Sequence, residues 1–203
     1  MAASRLFVAA LALFVLGSPA PAAADGKGPI KVIFTDAAPP PVAPYTQARV
    51  FGNTIYLAGQ LPITCDAACW AAVGDPPSPD SWTIASTKVT TVAKCTVAEA
   101  AAGCTDPSGA APVADQAAQT TAQAKQVMDN LKAVLEAAGA TFDDVTKCVV
   151  YQVAGGVNGP AFNAVYASYF SPDRRPARVA INISSLALSS KLEVECTAVK
   201  ANP

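Results

Sequence analysis

A chain of 203 residues, 52% of them hydrophobic, is long enough to build one core of ordinary size. Its formal net charge is -1 and it contains no basic block, so it offers no electrostatic surface suited to nucleic acid or to an anionic membrane. We therefore expect its partners to be small molecules or other protein chains.

Residues 1–24 predict a secretory signal peptide. One arginine precedes an apolar run from Leu6 to Leu16, and the small residues Ala22 to Ala24 suit a cleavage site. A membrane anchor is the alternative, but the run is well short of the roughly 20 apolar residues that span a bilayer. We expect cleavage near Ala24, export to the periplasm or the cell exterior, and no membrane association afterwards.

The cysteine count agrees with export, because six is an even number and extracytoplasmic compartments are oxidising. Four cysteines lie close together in the sequence: Cys65, Cys69, Cys95 and Cys104. Two disulfides of open connectivity are favoured over a zinc site, since the spacing of the second pair is too wide for a zinc knuckle. Cys148 and Cys196 lie in strand-like runs, where they form either a third bridge or two small buried hydrophobes.

The mature chain, residues 25–203, is expected to be a single domain. After the proline-rich lead DAAPPPVAPY, the runs QARVF and TIYLAGQL flank Gly52-Asn53, which predicts a hairpin. From Cys65 to about Asp106 the pattern is lost, apart from WTIASTKVTTVAKC, which suits one strand or a small hairpin. We interpret this segment as an insertion pinned by disulfides.

Regular structure resumes with ADQAAQTTAQAKQVMDNLKAVLEAAGA, whose apolar residues recur at helical spacing. Asp115 is placed to cap this helix and Gly139 to end it. TKCVVYQV predicts a strand, and GPAFNAVYASYF predicts a second helix with Pro160 in its first turn. ARVAINI and KLEVECTAV predict two final strands. The order implies an α+β domain with two helices on one face of a mixed sheet.

The absence of histidine limits the chemistry. It excludes Ser-His and Cys-His dyads and histidine metal ligands, so a base must be a carboxylate, a lysine or a tyrosine. The sequence has no glycine-rich phosphate loop after a strand and no acidic cluster at metal-binding spacing. We predict neither a cofactor nor a metal.

Arg178 is the most conspicuous charge, because it stands at the start of an apolar run that predicts a buried strand. A guanidinium there needs a carboxylate partner, and an ion pair with Asp173 or a glutamate is the structural alternative to ligand binding. In KLEVECTAV, Glu193 and Glu195 share the face opposite the apolar residues, which alone indicates a solvated face. Taken singly, Asn163 and Tyr45 indicate only a polar residue in a helix's first turn and a loop aromatic.

Several separated blocks, taken in order, resemble the RidA (YjgF) family of enamine and imine deaminases. They are APYTQARVFGNTIYLAGQLP, QVMDNLKAVLEAAGATFDDVTKCVVYQV, FNAVYASYF, RPARVAINI and KLEVECTAV, which leave out only the segment from Cys65 to about Asp106. The resemblance implies a chorismate-mutase-like α+β fold and a homotrimer with ligand sites between subunits. It also implies hydrolysis of 2-imino or 2-amino-alkenoic acids to 2-oxo acids and ammonia.

The resemblance assigns a role to each matching residue. Arg178 would clamp the substrate carboxylate and Glu193 would orient the water that attacks the imine carbon. Tyr45 and Asn163 would line the pocket, and the backbone of Gly59 would face the ligand. A planar guanidinium that fixes the carboxylate and a carboxylate that holds water suit this reaction physically.

Two departures from the family pattern and the insertion leave alternatives open. Ala58 stands where the family often has serine, and Ala180 where it often has cysteine, so we expect a more apolar pocket. The insertion leaves the sheet beside the predicted site and would cover or obstruct it. The alternatives to a deaminase are therefore a non-catalytic trimeric binding protein for small carboxylates and a structural or holdase-type protein.

Overall fold

The computed structural model describes residues 29–71, 90–105 and 111–201. The predicted signal peptide lies outside these residues, as does the proline-containing middle of the predicted insertion. The strands are β1 (Lys31–Ile33), β2 (Ala48–Phe51), β3 (Thr54–Leu57), β4 (Ile63–Thr64), β5 (Thr90–Thr91), β6 (Val145–Val153), β7 (Ala177–Ile183) and β8 (Leu192–Val199). The helices are α1 (Ala67–Ala71), α2 (Val97–Ala101), α3 (Gln116–Ala137) and α4 (Gly159–Ser168).

The main sheet is mixed, with the strand order β1-β2-β3-β8-β6-β7. Its neighbours pair antiparallel except for β6 and β7, which are parallel and are joined through α4, since parallel neighbours need a crossover. The two long helices, α3 and α4, pack together and share one buried apolar core with the sheet. This architecture confirms the predicted α+β fold.

The local signals in the sequence explain most of these boundaries. Gly52 takes a φ of +57° between β2 and β3, as the predicted hairpin requires. The Asp115 side chain accepts a hydrogen bond from the backbone N–H of Ala118, and Gly139 ends the region of α3 with a φ of +70°. Pro160 lies in the first turn of α4.

The apolar stripe of α3 packs against alternate residues of β8, the central strand. Val127, Leu131 and Val134 of the helix are fully buried, as are Leu192 and Val194 of the strand. Residues of β8 between them, including Glu193, therefore project from the helix-free face of the sheet. The burial of the alternate apolar residues thus places the charged residues of β8 on the opposite face of the sheet.

A polar row on α3 holds the segment that we predicted to be an insertion. The side chain of Asn130 donates to the carbonyls of Leu61 and Ile63, each at 3.0 Å. Gln119 donates to the carbonyl of Lys94 at 3.0 Å, and Gln123 donates to that of Val92 at 3.2 Å. These buried amides fix to the helix the residues just before the segment, Leu61 and Ile63, and its later part at Val92 and Lys94, since each satisfies main-chain carbonyls.

The described cysteines form disulfides. Within the predicted insertion, Cys65 bonds to Cys69 and Cys95 bonds to Cys104. Cys148 of β6 bonds to Cys196 of β8, directly opposite in the sheet register, and both are buried beneath the helices. The third pair thus joins the two strands as a bridge, which the sequence left open.

Three features differ from the sequence-based expectations. The short strand β1 was not predicted, because three residues carry too little alternation to be recognised. Helices α1 and α2 were not predicted within the insertion. Strand β5, which lies in the part of the insertion predicted to form one strand or a small hairpin, pairs with β4, and residues 82–89 of that part lie outside the described ranges. Strand β7 was predicted to be buried, but it is exposed because it lies at the edge of the sheet.

Within the described ranges, no helix combines the length and the apolar character that crossing a membrane requires.

Candidate functional site

Glu193 lies against the backbone of Gly59 on the helix-free face of the sheet. Gln60 exchanges two backbone hydrogen bonds with Val194, at 2.9 and 3.1 Å, and so draws the end of the hairpin onto β8. A Cβ placed on Gly59 would lie 2.0 Å from Oε1 of Glu193, far inside van der Waals contact. A side chain at position 59 would therefore displace the Glu193 carboxylate from its observed position.

Tyr45 lies beside this contact. Its hydroxyl accepts a hydrogen bond from the backbone N–H of Val42 at 3.4 Å. Burial raises the pKa of Tyr45, and the nearby charge of Glu193 raises it further. The phenol therefore stays protonated across the physiological range. We call Tyr45, Gly59 and Glu193 the carboxylate half of the site.

Gln47 organises the wall of the carboxylate half, and we did not identify it from the sequence. It is buried, and its amide donates to the carbonyls of Thr35, Ala38 and Pro39 at 3.0 to 3.1 Å. The proline-rich lead is thereby folded over a small cavity. The cavity is lined by Pro39, Pro40, Pro41, Tyr45, Gln47, Gly59, Gln60, Leu61 and Ile63. A glutamine gives no sequence signal for this role, because its three acceptors are backbone carbonyls.

The surroundings of Glu193 favour its protonated form more than water does. Burial raises its pKa, and the like charge of Glu195 on the same face of β8 raises it further. Glu195 itself accepts a hydrogen bond from the Tyr151 hydroxyl at 3.3 Å. A carboxylate with a raised pKa is a stronger base than one in free solution, which suits a group that holds or deprotonates water.

Arg178 occupies a different place. Its guanidinium carbon lies 5.5 Å from the ring centroid of Phe162 and 4.8 Å from that of Tyr166, both on α4. No carboxylate of the described residues lies within ion-pair distance of it, so the alternative of an ion pair with Asp173 or a glutamate does not hold. The guanidinium rests on aromatic faces instead, with its N–H donors uncommitted to any charge.

Asn163 lies on α4, the helix whose Phe162 and Tyr166 rings contact Arg178. It is exposed on α4, next to Phe162 and three residues before Tyr166, so it lies on the neighbouring helical surface. We call Asn163 and Arg178 the guanidinium half of the site.

The two halves do not meet within one chain. Arg178 is opposite Cys148 in the sheet register and so lies on the helix face, whereas Glu193 is opposite Tyr151 on the other face. Two strand spacings of about 4.8 Å and three residue rises of about 3.3 Å separate their Cα atoms, roughly 14 Å in all. A single cleft that holds both residues therefore needs a second copy of the chain.

The described part of the insertion supports the cavity wall from behind. Leu61 and Ile63, which line the cavity, also pack with buried Cys69, and Trp70 and Leu188 pack against this cluster. The described residues Cys69 and Trp70 of the insertion thus pack against the lining of the cavity. Residues 72–89 of the predicted insertion lie outside the described ranges.

Comparison with known proteins decides the family. The family model described as endoribonuclease L-PSP matches residues 97–200. A RutC family protein of Pyrococcus horikoshii is 33% identical over 171 residues, which cover 84% of this chain and 98% of that protein. The chain belongs to this family, the RidA/YjgF family. The RidA-type neighbours include the YjgF gene product of E. coli, with a TM-score of 0.53, 26% identity, and coverage of 84% of this chain and 99% of that one.

One relative in the family carries an activity in its name. The 2-iminobutanoate/2-iminopropanoate deaminase of Dermatophagoides farinae is 26% identical and covers 84% of this chain and 97% of its own length. The two positions at which the resemblance implies a departure from the family pattern fall one in each half. Ala58 adjoins Gly59, and Ala180 shares the helix face of β7 with Arg178.

Proposed function

We propose that the protein is a hydrolase that deaminates reactive 2-imino and 2-amino-alkenoic acids, of the 2-iminobutanoate and 2-iminopropanoate type, to 2-oxo acids and ammonia. The observation that supports this most directly is the guanidinium of Arg178, which has no carboxylate partner among the described residues. A planar fork of N–H donors that no carboxylate of the described residues occupies suits a small carboxylate ligand.

The reaction needs only groups that the two halves contain. With the substrate carboxylate on Arg178, the adjacent carbon-nitrogen double bond is fixed in space. The carboxylate of Glu193 accepts a hydrogen bond from water and takes its proton as the new carbon–oxygen bond forms. Glu193 returns this proton to the nitrogen, which gives a carbinolamine. The hydroxyl proton of the carbinolamine then passes to the same nitrogen by way of Glu193, the carbonyl of the 2-oxo acid forms, and the carbon–nitrogen bond breaks to release ammonia. One imine and one water give one 2-oxo acid and one ammonia.

We propose that the site forms between subunits of a homotrimer. The helix-free face of the sheet exposes Tyr56, Val179 and Ile181, which are 54%, 43% and 41% exposed. Strand β7 also presents an unpaired apolar edge, which proteins normally cover. A second copy that covers these surfaces brings the carboxylate half of one subunit toward the guanidinium half of its neighbour. Light scattering on a purified sample should give the mass of three chains, and a monomer would contradict it.

We further propose that the protein acts outside the cytoplasm. Three disulfides within the described residues support an oxidising compartment. The mass of the protein isolated from its native host should correspond to a chain that begins near Asp25. A chain that retains residues 1–24 would contradict cleavage.

The activity can be tested by imine hydrolysis. An amino-acid oxidase generates 2-iminobutanoate, semicarbazide traps what remains, and the trapping rate falls if the protein removes the imine. We expect wild type to accelerate hydrolysis and Glu193→Ala to abolish most of the acceleration, while Glu136→Ala on the exposed surface of α3 matches wild type. No acceleration, with 2-oxobutanoate binding intact, would replace the deaminase by a carboxylate-binding protein. Loss of both would favour a structural role.

A further inference from the structure

The contact beneath Arg178 is the end of a continuous aromatic stack. The Phe162 and Tyr166 rings lie 5.6 Å apart, Tyr166 and Phe170 lie 4.8 Å apart, and Phe170 and Phe142 lie 5.0 Å apart. Each spacing falls within the range of favourable ring pairs. The rings beneath the arginine are therefore braced by others and cannot turn independently.

Burial makes this platform rigid, whereas the arginine above it is mobile by nature. Phe162 is 1% exposed and Tyr166 is 7% exposed, while Arg178 lies on an exposed edge strand. A long exposed arginine samples many rotamers, and binding a ligand through it loses that freedom. A cation–π contact restricts the side chain before the ligand arrives and uses none of its N–H donors.

The hydroxyl of Tyr166 takes no part in a hydrogen bond within the described residues, although it is buried. Burial raises the pKa of Tyr166 to about 12, against the opposing effect of Arg178. A neutral, unpaired hydroxyl contributes nothing favourable to the fold or to the arginine. The ring face is thus what Tyr166 supplies, and phenylalanine reproduces it.

We propose that Phe162 and Tyr166 form an aromatic shelf that presets the Arg178 guanidinium for the substrate carboxylate. Both are positioning residues, because they act through the arginine and not on the substrate. This inference rests on the proposed function, in which Arg178 binds the carboxylate. The shelf raises affinity by lowering the ordering cost of binding, so its loss should raise KM and leave kcat nearly unchanged.

The test compares four variants by calorimetric binding of 2-oxobutanoate and by KM and kcat for imine hydrolysis. Tyr166→Leu should weaken binding and raise KM by about fivefold, with kcat within about twofold of wild type. Tyr166→Phe should behave as wild type. Phe142→Leu removes the ring at the far end of the stack, which pairs with Phe170 and Tyr169 and, among the described residues, not with Phe162 or Tyr166, so it should lower stability without changing affinity. Arg178→Lys should lose at least about tenfold in affinity, since it lacks the planar fork.

The outcomes separate the two proposals. If Arg178→Lys weakens binding and a folded Tyr166→Leu does not, the shelf is overturned and the proposed function stands. If both variants bind as wild type does, the role of Arg178 itself is overturned. A fall in kcat with unchanged KM in Tyr166→Leu would also contradict a positioning role.

An NMR measurement on the wild-type protein tests the shelf even if Tyr166→Leu fails to fold. In wild type and in Tyr166→Phe, the side-chain Nε–H proton of Arg178 should show an NMR shift moved upfield by the rings. Phe162→Leu should reduce that shift while Tyr166 is retained. An Arg178 signal at the position of a free, averaged arginine in wild type would overturn the shelf.

Discussion

The two halves of the site are built by different means. The carboxylate half is set by the main chain: Gly59 is drawn against Glu193 by the hydrogen bonds between Gln60 and Val194. The guanidinium half is set by side chains, with Arg178 on two aromatic rings at an exposed sheet edge. Both contacts of the first lie within one chain. The difference teaches that the two residues to which we assign the water and the substrate carboxylate are held by separate structures, which can be broken independently.

The Cys148–Cys196 disulfide connects the strands behind the two halves, so its removal should have the largest effect. It closes a loop with a sequence separation of 48, which in the chain-entropy model is worth about 4 kcal/mol. Urea denaturation of Cys148→Ala/Cys196→Ala should show a loss of that order. Cys95→Ala/Cys104→Ala is the control, since its separation of 9 predicts about 2.5 kcal/mol. A larger loss from the shorter loop would contradict this order.

Gly59→Ala should break the carboxylate half alone. The new methyl group would lie 2.0 Å from Oε1 of Glu193, so the carboxylate must move by an ångström or more. A displacement of about 1 Å costs roughly a hundredfold in rate, and kcat for imine hydrolysis should fall by that order. Binding of 2-oxobutanoate, which we propose to depend on Arg178, should fall much less.

Gly159→Ala is the matched control for Gly59→Ala. A Cβ at position 159 meets nothing within 4 Å, so kcat should stay at the wild-type value. Equal losses from both variants would show that glycine at position 59 does not act through Glu193.

The pH dependence should separate the two halves further, because the role proposed for Glu193 in the carboxylate half requires its charged form. Glu193 must be ionised to hold water, so kcat/KM should fall as pH drops through its raised pKa. Glu195→Gln removes the repelling charge, lowers the pKa of Glu193, and should move this acid limb to lower pH. Glu136→Gln should leave the limb in place. An unshifted limb in Glu195→Gln would mean that another group controls it.

Tyr45→Phe should have the smallest effect. The hydroxyl accepts a single long hydrogen bond, 3.4 Å from the Val42 nitrogen, while the ring itself lines the cavity. Removing a bond of this kind costs about 1 kcal/mol or less, so kcat/KM should change by less than about fivefold. A loss comparable to that of Glu193→Ala would assign the hydroxyl a direct role in the reaction.

The sequence predicted the local parts of this structure and missed the relations between distant ones. Helix periodicity and caps located α3, and Gly52-Asn53 located the hairpin, because each signal lies within a few residues. GPAFNAVYASYF was predicted to be a helix, but the place of its Phe162 and Tyr166 under Arg178 depends on the parallel pairing of β7 with β6. Such long-range pairing leaves no mark in a single sequence.

The same limit applies to the site. Gly59 and Glu193 were matched through the family resemblance, and their mutual contact arises only when Gln60 pairs with Val194. The sequence did not reveal that β7 is exposed, because exposure depends on the strand order. An apolar strand at an open edge of a sheet has the same composition as a buried one.

The central claim is that one working site takes Glu193 from one subunit and Arg178 from another. Mixing Glu193→Ala and Arg178→Ala chains, after unfolding and joint refolding under oxidising conditions, tests it directly. In a cyclic trimer assembled at random from equal amounts, about one quarter of the sites should contain both intact residues. We predict that two inactive variants recover about a quarter of the wild-type hydrolysis rate. No recovery from mixed trimers that do form would contradict the shared site.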